Sequence, residues 1–279
     1  MGGESRSGVK PFLRWAGGKS WLVRQARALF SELQFGKYHE PFLGGAAIFF
    51  SLPQGTRAHL SDKNRALIKT YIAVRDYCDG VIECMRAFEN SKDAYYRIRE
   101  ARPECDVEQA AQFIYLNQTS FNGIYRVNLN GVYNVPFGNR AKPFLDEGAI
   151  RYASAFLASS TLRAGDFSEA LNEINENDLV FIDPPYTVSH NKNGFIKYNQ
   201  CLFSLEDQHR LATFISEIRA KGANYILTNA AHETIMTIFG AQDEPVELTR
   251  ANLIGGREAK RGHTSEYLFT NLESAAWRF

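Results

Sequence analysis

The chain predicts an α/β fold: an open sheet interrupted by a mainly helical insertion that carries a β-hairpin. Three observations predict it. Short apolar runs that end in a glycine turn or an acid recur towards both ends of the chain, at residues 38–45, before Asp62 and at 179–183. Between them, residues 68–118 show helical spacing, broken only at Gly80 and Pro103, and no strand-like alternation of useful length. Residues 120–138 (SFNGIYRVNLNGVYNVPFG) then carry Asn-Gly steps beside alternating apolar positions, the signature of a hairpin or looped ribbon.

The elements follow in order. A helix is expected near Lys19, where Trp21, Leu22, Gln25, Ala28 and Leu29 recur at helical spacing after Gly17-Gly18. A strand over 38–42 leads through Gly44-Gly45 to an apolar helix over 46–51. A second strand ends at Leu60-Ser61-Asp62, and a helix runs through Leu67, Ile68 and Tyr71. Strand, glycine turn, helix, strand, acid is the order of an open nucleotide-binding sheet. After the hairpin, Thr161-Leu162 leads to Gly165-Asp166, and a buried strand over 179–182 precedes Asp183. A helix over 205–220 and strands over 225–228 and 266–270 complete the pattern. The expected division is a discontinuous sheet domain, residues 1–67 and 159–279, with residues 68–158 inserted as a second domain.

Composition narrows the class. With 279 residues, 44% of them hydrophobic and 13% aromatic, the chain can bury a substantial core. It contains no run of about 18 apolar residues and no basic-then-apolar leader, so the expected location is the cytoplasm, with no membrane partner. Cys78, Cys84, Cys105 and Cys201 lie far apart without C-x-x-C spacing, so no metal site is expected. The net charge of +1 does not itself suggest nucleic acid. The distribution does: Arg6, Lys10, Arg14, Lys19, Arg24 and Arg27 face only Glu4 in residues 1–31, and Arg126, Arg140 and Lys142 stand in a segment without acids, 119–142. A third group, Arg250, Arg257, Lys260 and Arg261, is opposed by Glu258 alone. Such clusters in loops suit phosphate contact, or they are solvated surface charge.

Asp183-Pro184-Pro185-Tyr186 carries the chemistry. It follows an apolar strand, so the carboxylate emerges at the carboxyl edge of the sheet, where such sheets bind ligands. Two prolines fix the backbone and donate no main-chain hydrogen bond, which leaves a rigid array of acceptors. A planar exocyclic amine needs that array: its lone pair is delocalised into the ring, and acceptors on both N–H bonds favour a pyramidal, nucleophilic nitrogen. Tyr186 can stack on the ring and hold it in line. The plain alternative is an acid-capped turn after a strand.

Arg14-Trp15-Ala16-Gly17-Gly18-Lys19, Glu40-Pro41-Phe42-Leu43-Gly44-Gly45, Leu60-Ser61-Asp62-Lys63-Asn64, Phe121-Asn122-Gly123, Asn134-Val135-Pro136-Phe137-Gly138 and Asp183-Pro184-Pro185-Tyr186 together resemble the Dam-type (D12 class, group alpha) DNA N6-adenine methyltransferases. The resemblance runs from about residue 11 to about residue 270. It implies a Rossmann-like, S-adenosylmethionine-dependent methyltransferase sheet, a catalytic domain, with residues 68–158 as target-recognition domain. The implied reaction is site-specific methylation at N6 of adenine in double-stranded DNA, by a monomer in a prokaryotic cell or encoded by a phage. Because N6 is hidden inside a duplex, the base must be flipped out.

By that resemblance Asp183, Pro184, Pro185 and Tyr186 are catalytic. Trp15 and Lys19 belong to a cofactor-side lid, and the turn of Phe42, Gly44 and Gly45 passes the methionine part of S-adenosylmethionine. Asp62 holds the ribose hydroxyls, and Asp166 and Phe167 contact the cofactor adenine; Asp166 is equally well read as a helix cap. Arg14, Phe121, Asn122, Ile124, Arg126, Pro136, Asn139 and Arg140 form the DNA side, with Phe121 as a wedge beside the flipped base and Arg126 reading a guanine. Phe121, Ile124 and Tyr125 are alternatively hairpin core. GATC is the leading candidate site, since Phe121, Asn122, Ile124, Arg126 and Pro136 match that subclass in type. One departure stands out: the family places glycine where this chain has Ala46. Gly18-Lys19-Ser20 is no phosphate loop, because Leu13 occupies the earlier glycine position. The rival functions are an amino-methyltransferase on cytosine N4 or RNA, and a catalytically silent DNA-binding regulator.

Overall fold

The computed structural model describes residues 11–128, 131–140, 142–187, 203–251 and 263–272. Arg6, Lys10, Cys201, Arg257, Lys260 and Arg261 lie outside the described residues. The strands are β1 (Tyr38–Glu40), β2 (Ala58–Asp62), β3 (Ser160–Ala164), β4 (Leu179–Ile182), β5 (Asn224–Ala230), β6 (Val246–Ala251) and β7 (His263–Thr270). They form one sheet in the order β3-β2-β1-β4-β5-β7-β6. β1 pairs in parallel with β2 and β4, and β4 with β5, whereas β7 runs antiparallel to both β5 and β6. The sheet is of the mostly parallel, Rossmann-like type. Strand β4, Leu-Val-Phe-Ile, is buried along its whole length, which is why it reads as a continuous apolar run instead of alternating. The strand order reverses between β1 and β4, and the chain beyond the carboxyl ends of these strands is the usual ligand site of such sheets.

The chain packs as two compact units. The first comprises Met1–Glu32, Leu43–Thr56 and Ser61–Gly165. It contains the helices α1 (Val23–Glu32), α2 (Arg65–Asp76), α3 (Cys78–Arg86), α4 (Lys92–Glu100), α5 (Asp106–Thr119) and α6 (Glu147–Leu157). Asn64, Ser91 and Asp146 cap α2, α4 and α6 through side-chain oxygens that accept the amides of Leu67, Ala94 and Ala149. Helix α5 is buried on most sides, from Ala110 to Thr119, and is the axis of this unit. Tyr95, Ile98, Tyr115 and Leu116 form a small core, against which Tyr133 and Phe137 pack.

The second unit comprises Leu33–Phe42, Arg57–Leu60 and Asp166–Phe279. It contains α7 (Leu205–Ala220) and α8 (Glu233–Phe239). Ser204 and Asp207 close a capping box at the start of α7, and Leu211, Phe214, Ile215 and Ile218 form its buried stripe. The stripe meets Val180, Ile182, Leu227 and Phe269 in the core of this unit.

Several expected elements shift. The first helix begins at Val23, not near Lys19, and β1 stops at Glu40. The expected helix over 46–51 is only a 3-10 turn, Phe49–Ser51, because Ala46 takes a left-handed conformation (φ 55°) that no helix admits. The ribbon over 120–138 has isolated bridges, Ser120 to Phe137 and Val127 to Tyr133, in place of a regular hairpin. A left-handed Asn122 (φ 55°) inside the turn Phe121–Gly123 breaks the ladder. Strand β6 and helix α8 were not expected. Among the described residues no helix is long and apolar enough to cross a membrane.

Candidate active site

In the second unit, Asp183-Pro184-Pro185-Tyr186 directly follows β4, at the point where the strand order reverses. Pro184 is buried, while Asp183, Pro185 and Tyr186 are half-buried. Each end of the tetrapeptide is held. The Thr228 hydroxyl donates to Asp183 Oδ1 at 2.9 Å, and the Tyr186 hydroxyl donates to Glu266 Oε2 at 2.6 Å. The chain just beyond is fixed by Thr187, which donates to the Phe203 carbonyl and accepts from buried Gln208, itself an acceptor for Asn229. On the neighbouring strand, the buried Tyr38 hydroxyl donates to Glu40 Oε2 at 2.8 Å. Burial, Glu40 and the charge of Asp183 push the Tyr38 phenol well above its ordinary range, so it remains a donor.

The same unit carries Phe42, Asp166 and Phe167. Phe42 and Phe167 stack at 5.3 Å between ring centroids, and half-buried Phe42 also meets Phe203 edge-on. Phe167 is 4% exposed and part of the core. Asp166 caps the 3-10 turn Phe167–Asn172 in a capping box and accepts from Arg210 at 2.7 Å. Burial pulls the Asp166 carboxyl up, but the bonds from Ser168 and Arg210 outweigh it and leave the group below its ordinary range.

In the first unit, Trp15 packs over the glycine turn. A methyl group added at Gly44 would lie 2.8 Å from the Trp15 ring, and one at Gly45 would lie 3.0 Å from Trp15 Cβ. Gly44, at a φ of 46°, therefore admits no side chain while Trp15 stays in place, and a side chain at Gly45 would need Trp15 to give by a few tenths of an ångström. The Gly44 amide donates to Asp62 Oδ2 and the Asn64 amide to Oδ1, so this carboxylate has a fixed orientation at the end of β2. Burial raises the Asp62 pKa, and these two bonds partly oppose the rise. Lys19 is 3% exposed and its ammonium donates to the Gly17 carbonyl.

The ribbon belongs to the first unit as well. Tyr125 stacks between Trp15 and Phe113, at 5.9 and 5.0 Å, so it is packed structure. Phe121 is 53% exposed. Its amide donates to the Pro136 carbonyl, and the Gly138 amide donates to Thr119. A side chain at Gly138 would come within 2.5 Å of the Ser120 carbonyl, so the Phe121 platform depends on that glycine. Ile124 is half-buried; Asn122, Arg126, Pro136 and Asn139 are exposed. Arg126 Nε donates to Asn134 Oδ1 at 2.8 Å, which steers the guanidinium across the ribbon. Tyr95 donates to the Val135 carbonyl and Tyr133 to that of Ile124, fastening the ribbon to α4 and to itself.

The Arg14 backbone is clamped by buried Asn117, which accepts its amide and donates to its carbonyl. Its side chain lies so close to Gly123 that a methyl group there would sit 2.7 Å from the guanidinium carbon. Burial and the nearby Arg140 charge lower the Arg14 pKa. Arg140 is half-buried and its carbonyl accepts from Asn90.

Tyr38, Thr228 and Glu266 were missed as site residues in the sequence. Only Glu266 gave a signal there: a carboxylate at the head of the apolar run Tyr267-Leu268-Phe269.

Comparison with known proteins agrees with this geometry. The profile of the D12 class N6 adenine-specific DNA methyltransferases matches residues 15–249. The chain is 32% identical over 281 residues to the type II methyltransferase M1.LlaDCHI of Lactococcus lactis subsp. cremoris, covering 96% of this chain and 97% of that one. It is 36% identical to the type II methyltransferase M.MjaIII of Methanocaldococcus jannaschii, over 80% of this chain and 84% of that one. The DNA adenine methylase of Escherichia coli K12 is 28% identical over 82% of each chain. With an acceptor turn at the reversal of the sheet, and with this profile spanning most of its length, the chain belongs to the D12 class of N6 adenine-specific DNA methyltransferases.

Proposed function

We propose that this enzyme methylates N6 of an adenine flipped out of double-stranded DNA, using S-adenosylmethionine, as a monomer at a short fixed sequence for which GATC leads. The observation that carries this reading is the anchored Asp183-Pro184-Pro185-Tyr186 turn beyond β4. The Asp183 carboxylate and the Pro184 carbonyl accept the two N–H bonds of the amine and pyramidalise it. Tyr186 stacks on the base, and the proton released once N6 carries its methyl leaves through Asp183.

S-adenosylmethionine, when bound, supplies the electrophilic methyl. The residues suit it: each Asp62 oxygen accepts one amide and retains lone-pair capacity for a ribose hydroxyl. Trp15, Lys19, Phe42, Gly44, Gly45, Asp166 and Phe167 are the further residues we assign to the cofactor. Arg14, Phe121, Asn122, Ile124, Arg126, Pro136, Asn139 and Arg140 engage DNA, with residues 68–158 as the recognition domain. Exposed Phe121 on its glycine-dependent platform suits a wedge. The type II names of two relatives support a role in restriction-modification.

The test is sequencing of DNA methylated by the purified protein, with modified bases and flanks read together. N6-methyladenine at a single short motif is expected. N4-methylcytosine, or DNA binding without any methylated base, sinks the reading. Asp183→Ala is expected to lower transfer by at least about 100-fold while cofactor affinity stays within about threefold.

A further inference from the structure

Glu266 is 1% exposed and stands inside the sheet, opposite Ala230 of β5 and Leu248 of β6. A carboxylate in such a place is costly unless it is hydrogen-bonded, and an apolar residue would satisfy the strand better. Its acceptor oxygen takes the Tyr186 hydroxyl at 2.6 Å, within the range of strong O–H bonds to carboxylates. Thr228, the anchor of Asp183, faces Leu268 in the same strand pair, one pleat along from the Ala230–Glu266 pair. Residues two apart share a face of a strand, so both anchors project from one face of the β5–β7 ladder. One end of that face orients the carboxylate of the tetrapeptide, and the other orients its aromatic ring.

We propose that Glu266 is a positioning residue for methyl transfer: by holding the Tyr186 hydroxyl it fixes the plane of the ring on which the target adenine lies. The inference rests on the reading that Tyr186 stacks on that base. A tyrosine ring at the end of a proline turn has two side-chain torsions to settle. A bond that fixes the position of the hydroxyl settles the first torsion, and because a phenolic O–H prefers the plane of its ring, an acceptor in a fixed direction also biases the second, so the stacked base inherits the ring's orientation. A misaligned base still binds, but its amine no longer points along the direction of transfer, so the loss falls on the chemical step.

The experiment measures single-turnover methylation of a duplex carrying the mapped site, together with cofactor and DNA affinities. Glu266→Ala is expected to slow transfer by roughly 10- to 100-fold with both affinities within about threefold, and Glu266→Gln, which keeps an acceptor, to stay within about threefold of the parent. Tyr186→Phe is expected to match Glu266→Ala, and the double variant to be no slower than either single one. Parent-like rates in Glu266→Ala, an equally slow Glu266→Gln, or multiplying losses in the double variant overturn the inference. If Glu266→Ala does not fold, Tyr186→Phe decides: a parent-like rate overturns it. Tyr186→Ala separates the two levels. Parent-like transfer there defeats the stacking reading itself, whereas collapse there beside parent-like Tyr186→Phe and Glu266→Ala defeats only the role of Glu266.

Discussion

Ala46 holds a left-handed backbone (φ 55°) between the glycine turn and the 3-10 turn Phe49–Ser51, and its methyl is 1% exposed. Such a conformation costs an alanine roughly 1–2 kcal/mol relative to glycine. Against this stand about 0.5–1 kcal/mol of extra chain entropy that glycine loses on folding and about 0.8 kcal/mol for the buried methyl. The contributions nearly cancel. Ala46→Gly is therefore expected to leave the urea unfolding free energy within about 1 kcal/mol, whereas Ala46→Val, β-branched and overpacked, is expected to cost at least about 2 kcal/mol. A stabilisation well above 1 kcal/mol in the glycine variant would contradict this balance. The departure from the family pattern was visible in the sequence. The reason glycine is usual there is a dihedral angle, and that was not. Asp183 and Tyr186 were legible because proline and a preceding apolar run fix their local geometry. Thr228 and Glu266 depend on strand register, which local pattern does not report.

The ribbon acts as an element, not as separate residues. The Asn-Gly steps and the alternation were readable as a ribbon, but a regular ladder was not realised. Left-handed Asn122 and Gly123 (φ 55° and 64°) turn the chain after Phe121, and aromatic packing of Tyr125 and Tyr133 holds it in place of paired strands. Local pattern could not separate the exposed Phe121 from the stacked Tyr125, because the partner rings Trp15 and Phe113 come from distant parts of the sequence. Arg126 is exposed and tethered to Asn134, so its loss leaves this packing intact. Arg126→Ala is expected to relax discrimination at one base pair by about 1–3 kcal/mol, with little change at the others. Methylation rates on duplexes substituted one position at a time check this, and an unaltered profile refutes the assignment.

At the scale of the whole molecule, the order of strands put the acceptor turn where it is useful. The alternation of strand and helix suggested an open sheet, but not that β7 enters between β5 and β6, since antiparallel insertion leaves no local mark. The stability of the sheet has its own titration. His39 Nε2 donates to Asp178 Oδ2 at 2.8 Å, while Asp178 also accepts the amides of Lys37 and Asn175. Burial lowers the His39 pKa from 6.5 to about 4, more than the bonds to Asp178 raise it. Below pH 6.5 the unfolded chain therefore takes up a proton that the folded protein refuses until about pH 4. The contribution is complete above pH 6.5 and is lost as the pH falls towards 4, on the order of 2–3 kcal/mol. Urea midpoints are expected to drop over that window, and the drop is expected to be shallower in His39→Gln; an identical profile would remove His39 as the cause.

The place of β7 also orders events in time. It is the last described strand, yet it lies between β5 and β6, and β6, although made earlier, has β7 as its neighbour in the sheet. A chain emerging amino end first can assemble β1, β2, β4 and β5 and hold Asp183 through Thr228 while it still lacks the carboxylate that takes the Tyr186 hydroxyl. Pairing of β7 with distant β5 is a long-range contact of the slow kind. The Tyr186 ring is thus secured by the last of the described strands to be synthesised.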